Sequence, residues 1–167
     1  MNIIAAVDNN WGIGYRNRLL NSIPEDMRFF RETTTGKVVV MGRNTLESFP
    51  GKRPLKNRVN IVLTGKEDFT AGDAVIVHSL EEALQELSKY PDEDIYIIGG
   101  ESVYRQFLPY CDTAHITAMD NTYAADAFFP NLDEDPEWEV AGESEERTYF
   151  DLPYVFKLYK RKKNLDF

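Results

Sequence analysis

Short runs rich in Val, Ile and Ala alternate along this chain with stretches in which apolar side chains recur every three or four residues. The runs predict strands at Ile3–Val7, Lys37–Met41, Val59–Leu63, Ala74–Val77, Ile95–Ile98, Thr113–Ala118, Trp138–Ala141 and Val155–Tyr159. Several show little alternation between apolar and polar positions, the pattern of strands covered on both faces. Helical spacing falls between them, at about Pro24–Thr33, Thr45–Phe49, Leu80–Lys89 and Glu101–Leu108. In the third of these, Leu80, Ala83, Leu84 and Leu87 form an apolar stripe. Strand and helix alternate through the first two-thirds, and the last third reads as strands joined by an acidic loop. That order predicts an α/β fold: an eight-stranded, mostly parallel mixed sheet with an antiparallel C-terminal edge and about four helices on both faces. No repeat or linker divides the chain, so one domain is expected over residues 1–167.

Ligands of such a sheet bind outside the carboxyl ends of its parallel strands. Two glycine turns fall at those ends. Gly99-Gly100 follows Ile95–Ile98 and precedes the helix near Glu101. Gly42-Arg43 repeats the layout after Lys37–Met41, with Asn44 as the expected N-cap and Glu47 as its capping-box partner. Glycine lets backbone approach a ligand, and a helix N-terminus offers free N–H groups to phosphate. Packing alone would also explain each turn. Neither is a G-x-G-x-x-G or P-loop sequence, so an ordinary Rossmann domain or NTPase is not indicated.

Charge changes the picture locally. The chain carries −9 overall, which argues against a nucleic-acid partner, yet Arg16–Lys66 holds 11 Lys or Arg against 4 Asp or Glu. Either the surface is simply uneven, or this segment collects small anionic ligands. Cys111 is the one cysteine, which fits a reducing compartment and reads as a small buried hydrophobe. No apolar run approaches a membrane span, and Met1-Asn2 leads straight into the first strand without a signal-like segment. A cytoplasmic protein is expected, monomeric because no apolar surface repeat calls for a partner.

Candidate chemistry is sparse. His78 and His115 lie apart in strand patterns, so no metal site is expected, and no serine has nucleophile-elbow context. Ile23-Pro24-Glu25-Asp26-Met27-Arg28-Phe29-Phe30 says more: proline opens a helix, and spacing puts Asp26 on a face with Ile23, Met27 and Phe30. An acid there should have a raised pKa and could do proton chemistry. A carboxylate favouring the helix N-terminus is the plainer alternative.

Taken together, these segments resemble the dihydrofolate reductase family over essentially the whole chain. Ile4-Ala5-Ala6-Val7 is similar to its first strand, Gly12-Ile13-Gly14 to the start of its mobile loop, and Pro24–Phe30 to its substrate helix. Val40–Thr45 and Ile98–Tyr104 resemble its two cofactor turns, and Asp126-Ala127-Phe128-Phe129-Pro130 a segment supporting the loop. The resemblance implies reduction of 7,8-dihydrofolate to tetrahydrofolate by NADPH, with hydride reaching C6 and a proton N5. It implies Asp26 as the pterin-binding acid, oriented by Thr117. Ile4, Ala5, Met27, Arg28, Phe30, Phe49, Leu55 and Ile98 would surround substrate, with Arg58 gripping the glutamate α-carboxylate. Ala6, Ile13, Gly99 and Tyr104 would line the nicotinamide site. Gly42, Arg43, Thr45 and Gly100 would take the phosphates, Thr64 and Lys66 would lie near the adenosine 2′-phosphate, and Gly14, Asn44, Leu63, Ile98, Ser102 and Val103 would also bind the cofactor. Leu19, Leu20 and Asn21 belong to the loop.

Two positions depart from the family. Asn21 stands where tryptophan is usual, which bears on the proton route and the pocket wall; Trp11 nearby either fills part of that gap or packs elsewhere. Ala125 replaces a common glycine in the supporting loop. Asp26 with Arg58 favours a folate over another pterin or pyrimidine substrate, and a non-catalytic nucleotide-binding module would have no use for the acid.

Overall fold

The structure is a computed structural model and describes residues 1–162; the last five residues of the expected domain lie outside the described residues. Twelve strands are present among the described residues: β1 Asn2–Val7, β2 Gly12–Tyr15, β3 Arg18–Leu19, β4 Val38–Gly42, β5 Val59–Leu63, β6 Val75–Val77, β7 Ile95–Gly99, β8 Thr113–Met119, β9 Ala127–Phe128, β10 Trp138–Glu143, β11 Arg147–Tyr149 and β12 Leu152–Arg161. Four α-helices accompany them: α1 Pro24–Thr34, α2 Arg43–Glu47, α3 Leu80–Leu87 and α4 Glu101–Phe107.

Eight strands form the expected mixed sheet in the order β10-β12-β8-β1-β7-β4-β5-β6, and β11 adds a short hairpin against β12. Every pair from β8 to β6 is parallel, while β12 runs antiparallel to β8 and β10 antiparallel to β12. A second, three-stranded sheet, β3-β2-β9, was not foreseen from the pattern. Its strands are two to four residues long, too short to show a period.

The central strands explain the missing alternation. In β4, Val38 and Val40 join a core containing Ile3, Ile61, Ile97 and Phe107, while Val39 and Met41 join Leu46 and Val62 on the opposite face. Pleating still sends successive side chains to opposite faces, but both faces are dry, so every position is apolar. A third cluster, Ile23, Met119, Leu152 and Tyr154, closes the end of the sheet by α1. Cys111 is buried, and the loss of water pushes its thiol up to about 12, in keeping with a packing role. No helix among the described residues is long and apolar enough to cross a membrane.

One local expectation fails. The second helix begins at Arg43 rather than Thr45, with Gly42 at the N-cap and no side-chain cap. Asn44 therefore lies inside the first turn and does not cap. Glu47 pairs instead with Arg43 one turn earlier, at 3.1 Å, since side chains four apart share a helix face.

Candidate active site

Pro24 starts α1 at a position where its missing N–H costs nothing, and buried Ile23 anchors the preceding residue. Asp26 then falls in the first turn. Its Oδ1 accepts a hydrogen bond of 2.6 Å from Thr117 Oγ1 on β8. Burial pushes the Asp26 pKa above the ordinary carboxylate range, and the Thr117 bond pulls in the opposite direction with less effect. The acid is thus held in one place and disposed to keep a proton. Met27, expected on the same buried face, is 46% exposed; the face is completed by half-buried Phe30 and fully buried Thr34.

Tyr104 links this acid to the nearer glycine turn. Its hydroxyl donates to Ile4 O at 2.7 Å, and both burial and the negative charge of Asp26 raise its pKa. A Cβ on Gly99 would stand 3.3 Å from the Tyr104 ring, and Gly99 has φ +122°, a conformation closed to other side chains. The Gly99–Gly100 peptide bond is cis. The two turns also meet each other. Met41 pairs with Gly99 across β4 and β7, a Cβ on Gly42 would reach Val103 Cγ2 at 3.3 Å, and one on Gly100 would reach Thr45 Oγ1 at 3.6 Å. Gly42 and Gly100 each open a helix without a side-chain cap, leaving first-turn N–H groups for an incoming acceptor. This cradle fits the phosphates of a dinucleotide, with Arg43 beside it although tethered to Glu47. At the end of β5, Thr64 Oγ1 accepts from Lys66 N at 3.2 Å, and the Lys66 side chain is exposed next to half-buried Leu63.

On the other side of α1, Arg58 is fixed by two bonds. Nη1 donates to Thr34 Oγ1 at 3.1 Å and Nε to Lys56 O at 3.0 Å, and the guanidinium lies 6.0 Å from the Phe30 ring centre. Burial and neighbouring Arg31 disfavour its charge, a condition that an incoming carboxylate would relieve. Leu55 and Phe49 pack with Ile98 against the core beneath. Asn60 holds the Leu55 loop by accepting from Leu55 N and donating to Leu55 O, each at 2.9 Å. Ile4 is buried and Ala5 and Ala6 half-buried along β1. Arg28 and Ser102 are exposed, and Ser102 Oγ accepts from Gln106 Nε2 within α4. His78 Nδ1 meets Thr64 O at 2.9 Å, and His115 packs between Phe29 and Tyr96, each part of the framework.

The loop after β1 is anchored by a residue that sequence reasoning passed over. Asp8, 4% exposed, accepts from Asn10 N and Gly12 N with Oδ1 and from Tyr123 N with Oδ2. An aspartate just after a strand and four residues before a glycine was the available signal. Asp126 accepts from Arg16 N at 3.0 Å, and Asn17 donates to Asn44 O at 3.0 Å, so the Ile13–Gly14 segment is held from both sides. Ala125 packs where a Cβ on Gly12 would clash at 2.8 Å. Leu19 is 59% exposed, and Leu20 packs against the Ile23 cluster. Asn21 donates to the Tyr123 hydroxyl at 3.1 Å and lines a hollow of about 410 Å³ with Asn121, Tyr149 and Leu152. Trp11 does not fill that space; it stacks on Phe129 and meets Tyr159 edge-on in the main core.

A half-buried acid whose charge reaches Tyr104, the ring against which Gly99 turns, fits the class of nucleotide-dependent α/β reductases. Comparison with known proteins narrows this. The model of the family described as Dihydrofolate reductase matches residues 1–161. A dihydrofolate reductase of Neisseria gonorrhoeae is 42% identical over 145 residues, covering 87% of each chain, and that of Bacillus subtilis is 34% identical over 97% of this chain and 95% of its own. A solved structure, dihydrofolate reductase from Enterococcus faecalis complexed with NADP(H) and RAB-propyl, superposes with TM-score 0.85 at 33% identity, over 97% of this chain and 96% of that one. The chain belongs to the dihydrofolate reductase family.

Proposed function

We propose that this chain reduces 7,8-dihydrofolate to tetrahydrofolate with Asp26 as its pterin-binding acid. One observation carries the assignment: Asp26 is half-buried, raised in pKa and aimed by Thr117. NADPH, when bound, supplies the hydride delivered to C6 of the pterin. Asp26 holds the ring through its 2-amino group and N3, and its high pKa favours protonation at N5. Ile4, Ala5, Met27, Phe30, Phe49, Leu55 and Ile98 supply apolar walls, Arg28 lies at the rim, and Arg58 takes the α-carboxylate of the tail. Gly42, Arg43, Asn44, Thr45, Gly100, Ser102 and Val103 bind the cofactor phosphates. Thr64 and Lys66 take the adenosine end with Leu63. Ala6, Ile13, Gly14, Gly99 and Tyr104 line the nicotinamide site.

The same reading makes the protein a cytoplasmic monomer over 1–167 that binds no nucleic acid. The −9 charge and the buried single thiol support it, as does the scatter of large exposed apolar groups such as Leu19, Met27 and Phe150 over different elements. Mixing the protein with NADPH and dihydrofolate and following nicotinamide absorbance tests the reading. Turnover that requires both compounds and falls sharply in Asp26→Asn is the expected result; binding of NADPH without turnover would leave only a nucleotide-binding module.

A further inference from the structure

Glu101 is the first residue of α4, directly after the Gly99-Gly100 turn, yet its side chain serves another element. Oε1 accepts a 2.6 Å hydrogen bond from Phe128 N, 27 residues on, and Oε2 lies 3.9 Å from Arg105 Nε. Phe128 belongs to β9, where it pairs with Gly12 of β2. The flanking bonds run the same way: Phe129 N donates to Trp11 O at 2.8 Å, and Asp126 N to Gly14 O at 3.0 Å. β9 is therefore the support of the segment bearing Ile13, and Glu101 is its tie to the glycine turn.

The direction of the carboxylate matters. An acidic side chain in a first helical turn is favoured beside that turn's own N–H groups, where it would repel an anionic ligand. Here it is swung to β9 and occupied there, which leaves the first-turn N–H groups free. The bond is not imposed by burial either, since the side chain is 38% exposed.

We propose that Glu101 is a positioning residue that couples cofactor binding at the Gly99-Gly100 turn to the order of the β2 loop, by holding Phe128 of β9. The proposal rests on the assignment of that turn to NADPH. Solvent screening leaves an exposed bond of this kind only a modest contribution, so it can be made or lost, and β9, two residues long, depends on its neighbours for its place.

Hydrogen exchange with and without NADPH tests it, alongside NADPH and dihydrofolate titrations of Glu101→Ala and Glu101→Gln. In the unaltered protein NADPH should slow exchange at both 97–104 and 11–16. In Glu101→Ala it should still protect 97–104 but no longer 11–16. NADPH affinity should fall about tenfold, as one hydrogen bond to a charged group allows, with dihydrofolate affinity left unchanged. Glu101→Gln keeps an acceptor oxygen and should restore the protection of 11–16. If Glu101→Ala does not fold, Glu101→Asp, one methylene too short, carries the same expectation. Normal cofactor-induced protection of 11–16 in the Ala or Asp variant would overturn the proposal, as would a Gln variant as defective as Ala. Absence of protection at 97–104 in the unaltered protein would remove the cofactor assignment itself, and the coupling with it.

Discussion

Thr117 Oγ1 and Asp26 Oδ1 lie 2.6 Å apart although 91 residues separate them in the chain. The bond joins the first turn of α1 to β8, and it opposes the effect of burial on the acid. Burial favours the protonated form, while a donor aimed at the carboxylate favours the ionised one. The balance sets the pH range over which Asp26 titrates.

Asp26→Asn keeps size and a hydrogen-bond acceptor but removes the titrating group. Dihydrofolate reduction near neutral pH should fall by roughly 10²–10⁴-fold, the usual worth of acid–base assistance. Part of the loss should return at lower pH, where solution can protonate N5. NADPH binding should survive, because the glycine turns are separate. Near-normal turnover at neutral pH would remove Asp26 from the mechanism.

The same substitution should stabilise the fold. The folded-state pKa of Asp26 is raised, so its favourable contribution is present below the unfolded value of 3.8 and is lost as pH rises through the folded value. At pH 7 the ionised side chain is a burden that asparagine does not carry. The Asn variant should melt above the original protein at pH 7, with the gap narrowing toward pH 4. A gap that widens on acidification would contradict the dominance of burial.

Thr117→Val removes the donor with little change in shape. Asp26 should then titrate higher, moving the pH midpoint of hydride transfer upward, while stability falls by about 1–3 kcal/mol for an acceptor left short of a partner. Thr117→Ser should recover the midpoint. An unmoved pH profile in the Val variant would show that the bond does not tune the acid.

Arg58→Leu should weaken dihydrofolate and leave a pterin lacking the glutamate nearly unaffected. Two of its donor positions already hold Thr34 and Lys56, which fixes the guanidinium for a carboxylate. Equal loss with both compounds would make Arg58 a structural residue only.

Arg43→Ala should weaken NADPH by more than it weakens dihydrofolate, by about 1.5–3 kcal/mol if the guanidinium contacts phosphate. Because Arg43 also pairs with Glu47, the variant leaves an acid beside the cradle. Arg43→Ala with Glu47→Gln separates the two effects: recovery of NADPH binding in the double variant would assign the loss to the freed carboxylate.

Much of the fold was legible along the chain. Apolar runs of Val and Ile mark β4, β5 and β7 because both faces of the central sheet are dry, and Leu80, Ala83, Leu84 and Leu87 mark α3 because one face of it is. Pro24 places the start of α1, and the two glycine turns place the cradle, since each property is carried by one residue or its near neighbours. Periodicity also put Asp26 on a face with apolar groups. It could not choose between a catalytic acid and a helix-end charge.

What bears on that choice is tertiary, the approach of β8 that sets Thr117 against the first turn of α1. Packing likewise decided that Arg43 belongs to Glu47 and that Asn44 is no cap. Trp11 was drawn into the core, and the hollow beside Asn21 is lined instead by Asn121, Tyr149 and Leu152. The Asp8–Tyr123 bond, the Glu101–Phe128 bond and the β2–β9 pairing were invisible for the same reason: their two ends lie tens of residues or more apart. Local sequence sets φ, ψ and periodicity, which depend on adjacent side chains. A hydrogen bond between distant segments exists only once the sheet register and the docking of the helices have set both of its ends in place.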